Sequence, residues 1–156
     1  MRRTSLIWVK KINEELTERS TSGLFVTVAF VKINPSLNRL SFSIGGHLPI
    51  LVIDPEGNVD LLDVEEGLPL GMMEGNFLEK TYDYKPGSVI VLYTDGVTEA
   101  MNMNSEMFGM DRLVELVKNL KGSSSKEITS AVQKEVLKYA GKAPQHDDIT
   151  VLAIRT

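Results

Sequence analysis

Val89-Ile90-Val91-Leu92-Tyr93-Thr94-Asp95-Gly96-Val97-Thr98-Glu99-Ala100 is the stretch on which the reading of the fold turns. An unbroken apolar run, rich in β-branched residues, ends in a carboxylate, and a glycine follows at once. A short run of this kind reads as a central strand buried on both faces. It delivers Asp95 to the end of a sheet, and the flanking sequence has to supply the neighbouring strands.

Working outward toward the N-terminus, Lys85-Pro86-Gly87-Ser88 reads as a turn and residues 77–84 as the preceding strand. Gly67-Leu68-Pro69-Leu70-Gly71 is a loop, because its glycines and proline do not suit an element interior. Residues 48–53 and 59–64 form a hairpin about Asp54-Pro55-Glu56-Gly57-Asn58. Residues 39–44 alternate, which predicts one core face and one polar face. Gly45-Gly46 breaks that strand. Residues 24–31 are aromatic and β-branched and read as a strand buried on both faces, with a turn at Asn34-Pro35-Ser36. Together these predict an antiparallel meander. Before it, residues 5–19 read as a helix, with Trp8, Ile12 and Leu16 at four-residue spacing, Val9 beside them and Lys10, Lys11, Glu14, Glu15 and Glu18 opposite. Trp8 reads as a core anchor; the other reading is that it covers a missing or partner surface. The polar run 17–23 ends the helix. Arg2, Arg3, Lys10 and Lys11 read as solvated charges.

Toward the C-terminus, residues 101–108 form a polar, Met-rich loop, and Leu113, Leu116, Val117 and Leu120 mark a helix over 110–120. Ser124-Ser125-Lys126-Glu127 has the pattern of a capping box, opening a helix with Ile128, Val132 and Val136 on one stripe and a stop at Gly141. A terminal strand follows Gln145-His146-Asp147-Asp148. Strands come first and helices cluster late, so the expected class is α+β, a mainly antiparallel sheet with helices on its faces. No repeat or linker divides residues 1–156, which are read as a single domain.

The chain has 156 residues and a formal net charge of -4, an unfavourable balance for nucleic acid as the main partner. It has no cysteine, which excludes disulfides and thiolate metal sites and suits a cytoplasmic location. No stretch has the length of a membrane span, so no membrane partner is expected.

Asp95 closes one strand, and Asp147 with Asp148 opens another. Antiparallel neighbours would bring those ends to the same edge. Carboxylates gathered in this way favour a hard divalent cation, Mg²⁺ or Mn²⁺. A pair of such ions about 3.5–4 Å apart binds a phosphate and activates a water for in-line attack. On spacing alone, Asp95 as a turn residue and Asp147 as a strand cap are equally good readings. Haloacid-dehalogenase-type phosphotransferases also place Asp-Gly after an apolar strand, but their nucleophilic aspartate lies two residues earlier, where this chain has Tyr93. His47, after Gly45-Gly46, is a proton-donor candidate or a structural histidine, and His146 a neighbour of the site or a loop histidine. Gly46 and Gly96 read equally well as turn glycines.

Several segments in order resemble one family. These are residues 92–100 (LYTDGVTEA), Glu106-Met107-Phe108-Gly109, Gln145-His146-Asp147-Asp148-Ile149-Thr150, Gly67-Leu68-Pro69-Leu70-Gly71 and Pro86-Gly87-Ser88. Ser43-Ile44-Gly45-Gly46-His47-Leu48-Pro49 is similar to the family's Ala-Gly-His-x-Pro segment, with Gly45 where alanine is usual. The chain from about Lys11 onward resembles the SpoIIE/RsbU-like branch of the PPM metal-dependent serine/threonine phosphatases.

The resemblance implies a β-sandwich flanked by helices, and a water held by two Mn²⁺ or Mg²⁺ ions that attacks phosphoserine or phosphothreonine. Asp95 and Asp147 would be metal ligands, with Gly96, Asp148 and His47 supporting them; no residue beyond the metal-activated water is expected to be catalytic. The implied substrate is a phosphorylated anti-sigma-factor antagonist, a STAS-domain protein, within sigma-factor regulation. The family's first metal motif, Gly-Asp-x-x-Gly-x-Gly, does not occur among these residues. The chain is therefore expected to correspond to the C-terminal portion of the domain, with Ile12-Asn13-Glu14-Glu15-Leu16 in the helix that follows that motif. Two other readings stay open. One is a non-catalytic pseudophosphatase or remnant that binds a partner or forms a homo-oligomer through exposed sheet surface; the other is a structural fragment.

Overall fold

The computed structural model describes residues 4–19, 23–65 and 67–156, and in it the run from Val89 is β6 (Val89–Tyr93). Arg2 and Arg3 lie outside the described residues, as does part of the polar run that was expected to end the first helix. β6 is an internal strand of a four-stranded antiparallel sheet. Its neighbours are β3 (Ile50–Ile53) and β7 (Val151–Arg155), and β4 (Val59–Leu62) lies beyond β3. The registers run from Leu51 opposite Val91 to Ile53 opposite Val89, and from Val89 opposite Arg155 to Tyr93 opposite Val151. Val89, Ile90 and Val91 are fully buried, as are Ile50, Leu51 and Ile53, which is why these two strands are continuous apolar runs without polar alternation.

Two helices cover this sheet. α3 (Gly109–Asn119) packs on β3 through buried Leu113 and Val117, and α4 (Ser125–Ala140) on β7, with Ile128, Val132 and Val136 buried. The capping box at α4 forms as the sequence predicts: Ser124 Oγ accepts from the Glu127 amide, and Glu127 Oε2 accepts from the Ser124 amide at 2.7 Å. Such a cap contributes about 1 kcal/mol. The Met-rich loop is tied to α4. Buried Phe108 meets Tyr139 edge to face, with centroids 5.5 Å apart, and Arg112 lies over the Tyr139 ring and donates to Phe108 O at 2.7 Å. At the β3–β4 turn, Lys85 donates to Asp54 at 2.7 Å and to Glu56 at 2.6 Å, and Asp54 also accepts from the Asn58 amide.

The chain forms two compact units, and this sheet with its helices belongs to the one made of Pro49–Leu62 and Lys85–Thr156. The other unit, Met1–Leu48 with Asp63–Tyr84, holds a three-stranded antiparallel sheet ordered β1 (Val28–Asn34), β2 (Arg39–Gly45), β5 (Lys80–Asp83), and α1 (Thr4–Arg19). The predicted meander is thus corrected. β1 and β2 pair, β3 and β4 pair, but β2 and β3 lie in different sheets. The break falls at Gly46, whose φ of +67° is left-handed and whose Cβ position is blocked by Pro69.

Three more expectations change in this unit. Residues 24–31 are not a doubly buried strand. β1 begins at Val28 and is an edge strand, and Leu24, Phe25 and Val26 are exposed. The alternation in β2 does not place serines in solvent, since Ser41 and Ser43 are buried with Leu40, Phe42 and Ile44 because β2 is the central strand and α1 packs against it. Trp8 is not a core anchor: it is half exposed, with Ile7 and Ile12 also exposed. The buried face of α1 carries Val9 and Asn13, displaced by one position from the predicted stripe. Val9 joins Leu70 and Phe77 in a small core flanked by Leu6, Leu16, Val28 and Phe30. Asn13 turns the face by bonding the loop, donating to Met73 O at 3.1 Å and accepting from the Gly71 amide at 2.9 Å. A buried amide with both ends satisfied is a legitimate core residue, which an apolar stripe search passes over.

Candidate metal centre

β6 ends at Tyr93, and Thr94 is the extended N-cap of α2 (Asp95–Thr98), a single helical turn with Asp95 at its start. The β6–β7 ladder continues one step beyond the strands: the Thr94 amide donates to Thr150 O at 3.1 Å. The Thr94 side chain then clamps the opposite segment. Its Oγ1 donates to Asp148 O at 2.8 Å and accepts from the Thr150 amide at 3.0 Å. Gly96 completes the contact. A Cβ there would stand 2.4 Å from Asp148 O and 3.2 Å from Asp147 O. Gly96 does not have a positive φ, so it is not a turn glycine of the conformational kind. Glycine is needed because a second backbone lies where a side chain would be.

Antiparallel pairing therefore brings Asp95, Gly96, Asp147 and Asp148 to one edge of the four-stranded sheet. Asp95, Asp147 and Asp148 are all exposed. Asp95 Oδ1 accepts from the Gly96 amide at 2.9 Å, and Asp147 Oδ1 accepts from the Asp148 amide at 2.7 Å. These bonds orient each carboxylate and leave its second oxygen to face other partners. Among the described residues neither carboxylate takes part in an ion pair. Gln145 Nε2 donates to Asp147 O at 2.8 Å and braces the loop.

The donor chemistry fits a hard divalent cation, for which exposed, oriented carboxylates without cationic partners are the usual ligands. The number of donors is small: among the described residues no group of three or more His, Cys, Asp and Glu is placed to hold a metal ion. Asp95 and Asp147 alone offer fewer donors than the six or more oxygen ligands such an ion takes. His47 belongs to the other unit, where it is half-buried with Nδ1 2.9 Å from Leu48 O. His146 is exposed on the loop next to Asp147. The residue that the sequence reading missed is Thr94. Its only signal was a hydroxyl placed at the end of a central strand, just before the carboxylate.

A family model described as stage II sporulation protein E (SpoIIE) matches residues 5–156. Protein IcfG of Synechocystis sp. (strain ATCC 27184 / PCC 6803 / Kazusa) is 34% identical over 140 residues, covering 88% of this chain and 22% of its own length. Phosphoserine phosphatase RsbU of Bacillus subtilis (strain 168) is 27% identical over 155 residues, covering 94% of this chain and 44% of its own length. The chain thus spans less than half of either relative. Among solved structures, the SiaA-PP2C domain of Pseudomonas aeruginosa is similar with a TM-score of 0.86 at 19% identity, over 97% of this chain and 60% of that one. The phosphatase domain of SpoIIE from Bacillus subtilis, solved after presoaking with Mn, is similar with a TM-score of 0.69 at 20% identity, over 99% and 67%. The fold is therefore that of PP2C-type phosphatase domains, mixed α+β with antiparallel sheets, as the sequence predicts. Among the described residues no helix is long and apolar enough to cross a membrane.

Proposed function

The chain belongs to the stage II sporulation protein E (SpoIIE) family, and on that premise we propose that it is part of a metal-dependent protein serine/threonine phosphatase domain, with Asp95 and Asp147 as metal ligands. The observation that carries the proposal is the contact between the segment around Thr94–Gly96 and the segment around Asp147–Thr150, which sets two oriented, exposed carboxylates on one sheet edge. The substrate class is a phosphoserine or phosphothreonine of a regulatory protein. The similarity to RsbU, a phosphoserine phosphatase, supports that class. The finer reading is a phosphorylated STAS-domain antagonist of an anti-sigma factor.

In this proposal Asp95 and Asp147 would hold Mn²⁺ or Mg²⁺, and such ions supply an activated water and neutralise charge on a phosphoryl group. The remaining work belongs to the chain itself. The Gly96 and Asp148 amides aim the two carboxylates. Thr94 fixes the separation of the two segments, and Gly96 lets them touch. Asp148 stands beside Asp147 as a supporting carboxylate.

The test is hydrolysis of a phosphoserine peptide by this chain in Mn²⁺, compared with Asp95→Asn. Turnover lost in the variant supports the assignment. Turnover that survives the substitution overturns it. The small donor count favours a second reading, a non-catalytic module that binds its phosphoprotein partner or a second copy through exposed apolar surface such as Leu24, Phe25 and Val26. That reading requires partner binding without turnover in either protein.

A further inference from the structure

Beside the candidate centre, a cavity of about 330 Å³ opens between the C-terminal end of α4 and the 96–101 segment. Ala100, Met101, Leu137, Ala140, Pro144 and Ile149 form an apolar part of its wall. The cavity is at the small end of the range for ligand pockets, the size for one large side chain and its immediate backbone. Leu137 is 48% exposed, a large apolar residue left open on the wall. Among the described residues, the charged and titratable groups around it are Glu99, Asp147 and His146, and no lysine or arginine lines it.

That inventory decides what the cavity takes. A phosphate finds no lysine or arginine among these lining residues and faces Glu99, so the phosphoryl group itself is not the occupant. An apolar side chain would be desolvated against aliphatic walls, and a basic neighbour would meet Glu99. Gly96 and Asp147 belong both to the cavity wall and to the candidate centre, so one extended segment can reach the two together.

We propose that this cavity is a specificity subsite that receives a leucine- or methionine-sized side chain of the phosphoprotein substrate, a few residues from the phosphorylated position, with a basic residue of the same segment facing Glu99. The proposal rests on the phosphatase reading only for the identity of the segment. The pairing of an apolar and a basic side chain follows from the wall alone.

The experiment uses the full chain and short fluorescein-labelled phosphoserine peptides that differ at one position, carrying Leu, Lys, Ala or Asp at successive places on either side of the phosphoserine. Binding is read by fluorescence anisotropy, with and without Mn²⁺. The expected result is that Leu at one place binds roughly ten-fold tighter than Asp, the amount expected from burying a side chain of that size. Ala140→Leu, which fills the cavity, reduces that preference to less than about two-fold. Glu99→Lys reverses a Lys-over-Asp preference at a neighbouring place, and this second variant is on the surface and does not depend on repacking α4. A preference that is absent in the wild type, or that both variants leave unchanged, overturns the subsite. Failure of the phosphatase reading looks different: no turnover with Mn²⁺, but the same peptide preference and the same response to both variants.

Discussion

Thr94 Oγ1 donates to Asp148 O at 2.8 Å and accepts from the Thr150 amide at 3.0 Å, so a single hydroxyl joins the strand end that carries Asp95 to the loop that carries Asp147. The two carboxylates are 52 positions apart in the chain (147 minus 95). Their placement depends on this bond and on the backbone contact at Gly96.

Thr94→Val keeps the shape of the side chain and removes both bonds. Urea unfolding should show a loss of about 1–3 kcal/mol, because the Asp148 carbonyl and Thr150 amide lose a common partner. Thr94→Ser, which restores the hydroxyl, should recover most of it. Loss in Thr94→Ser with none in Thr94→Val would mean that the methyl group, not the hydroxyl, is what matters.

Gly96→Ala should be worse than its small volume suggests. The new methyl would stand 2.4 Å from Asp148 O, so one backbone segment has to move. Overpacking of this kind costs about 1–3 kcal/mol. The larger effect should be on metal affinity, since the moved segment carries Asp147. A variant with wild-type stability and wild-type Mn²⁺ affinity would show that the two segments do not need to touch.

Lys85 holds the carboxyl of Asp54 far below the usual carboxylate range, with Asn58 adding to the effect, and Asp54 and Glu56 push the Lys85 ammonium above its usual range. The sign follows from linkage. Asp54 contributes stability at pH values above its unfolded value of about 3.9, and that contribution is lost as pH falls below it toward the folded value. Lys85 contributes below about 10.4, and loses its contribution as pH rises through its raised folded value. The wild type should therefore be most favoured over Asp54→Asn between these limits, and the gap should close as pH falls below about 4. A constant gap from pH 7 to pH 2 in thermal unfolding would contradict the assignment.

Much of the unit made of Pro49–Leu62 and Lys85–Thr156 was legible because its signals are local or self-contained. The Val89–Tyr93 run, the Asp54–Asn58 turn, the Ser124–Glu127 box and the Ile128, Val132, Val136 stripe each specify their element from a few adjacent residues. The unit that holds α1, β1, β2 and β5 was read less well. Trp8 and Ile12 obey helical spacing, but the helix turns its Val9 and Asn13 face inward because Asn13 bonds the Gly71–Met73 loop, 58 positions away at its nearer bond. Residues 24–26 look like core strand and are exposed, since β1 is an edge. At the candidate centre the carboxylates were visible as strand ends, and the role of Gly96 was not. A glycine required by a neighbouring backbone looks identical in sequence to one required by a turn.

The central claim is that Asp95 and Asp147 act on one metal. Calorimetric titration of Mn²⁺ into the wild type, Asp95→Asn and Asp147→Asn tests it without requiring turnover. Each single variant should lose at least the roughly ten- to hundred-fold in affinity that removal of even a supporting group costs, and the double variant should lose little more than either. Binding of equal strength in all four proteins would contradict the account.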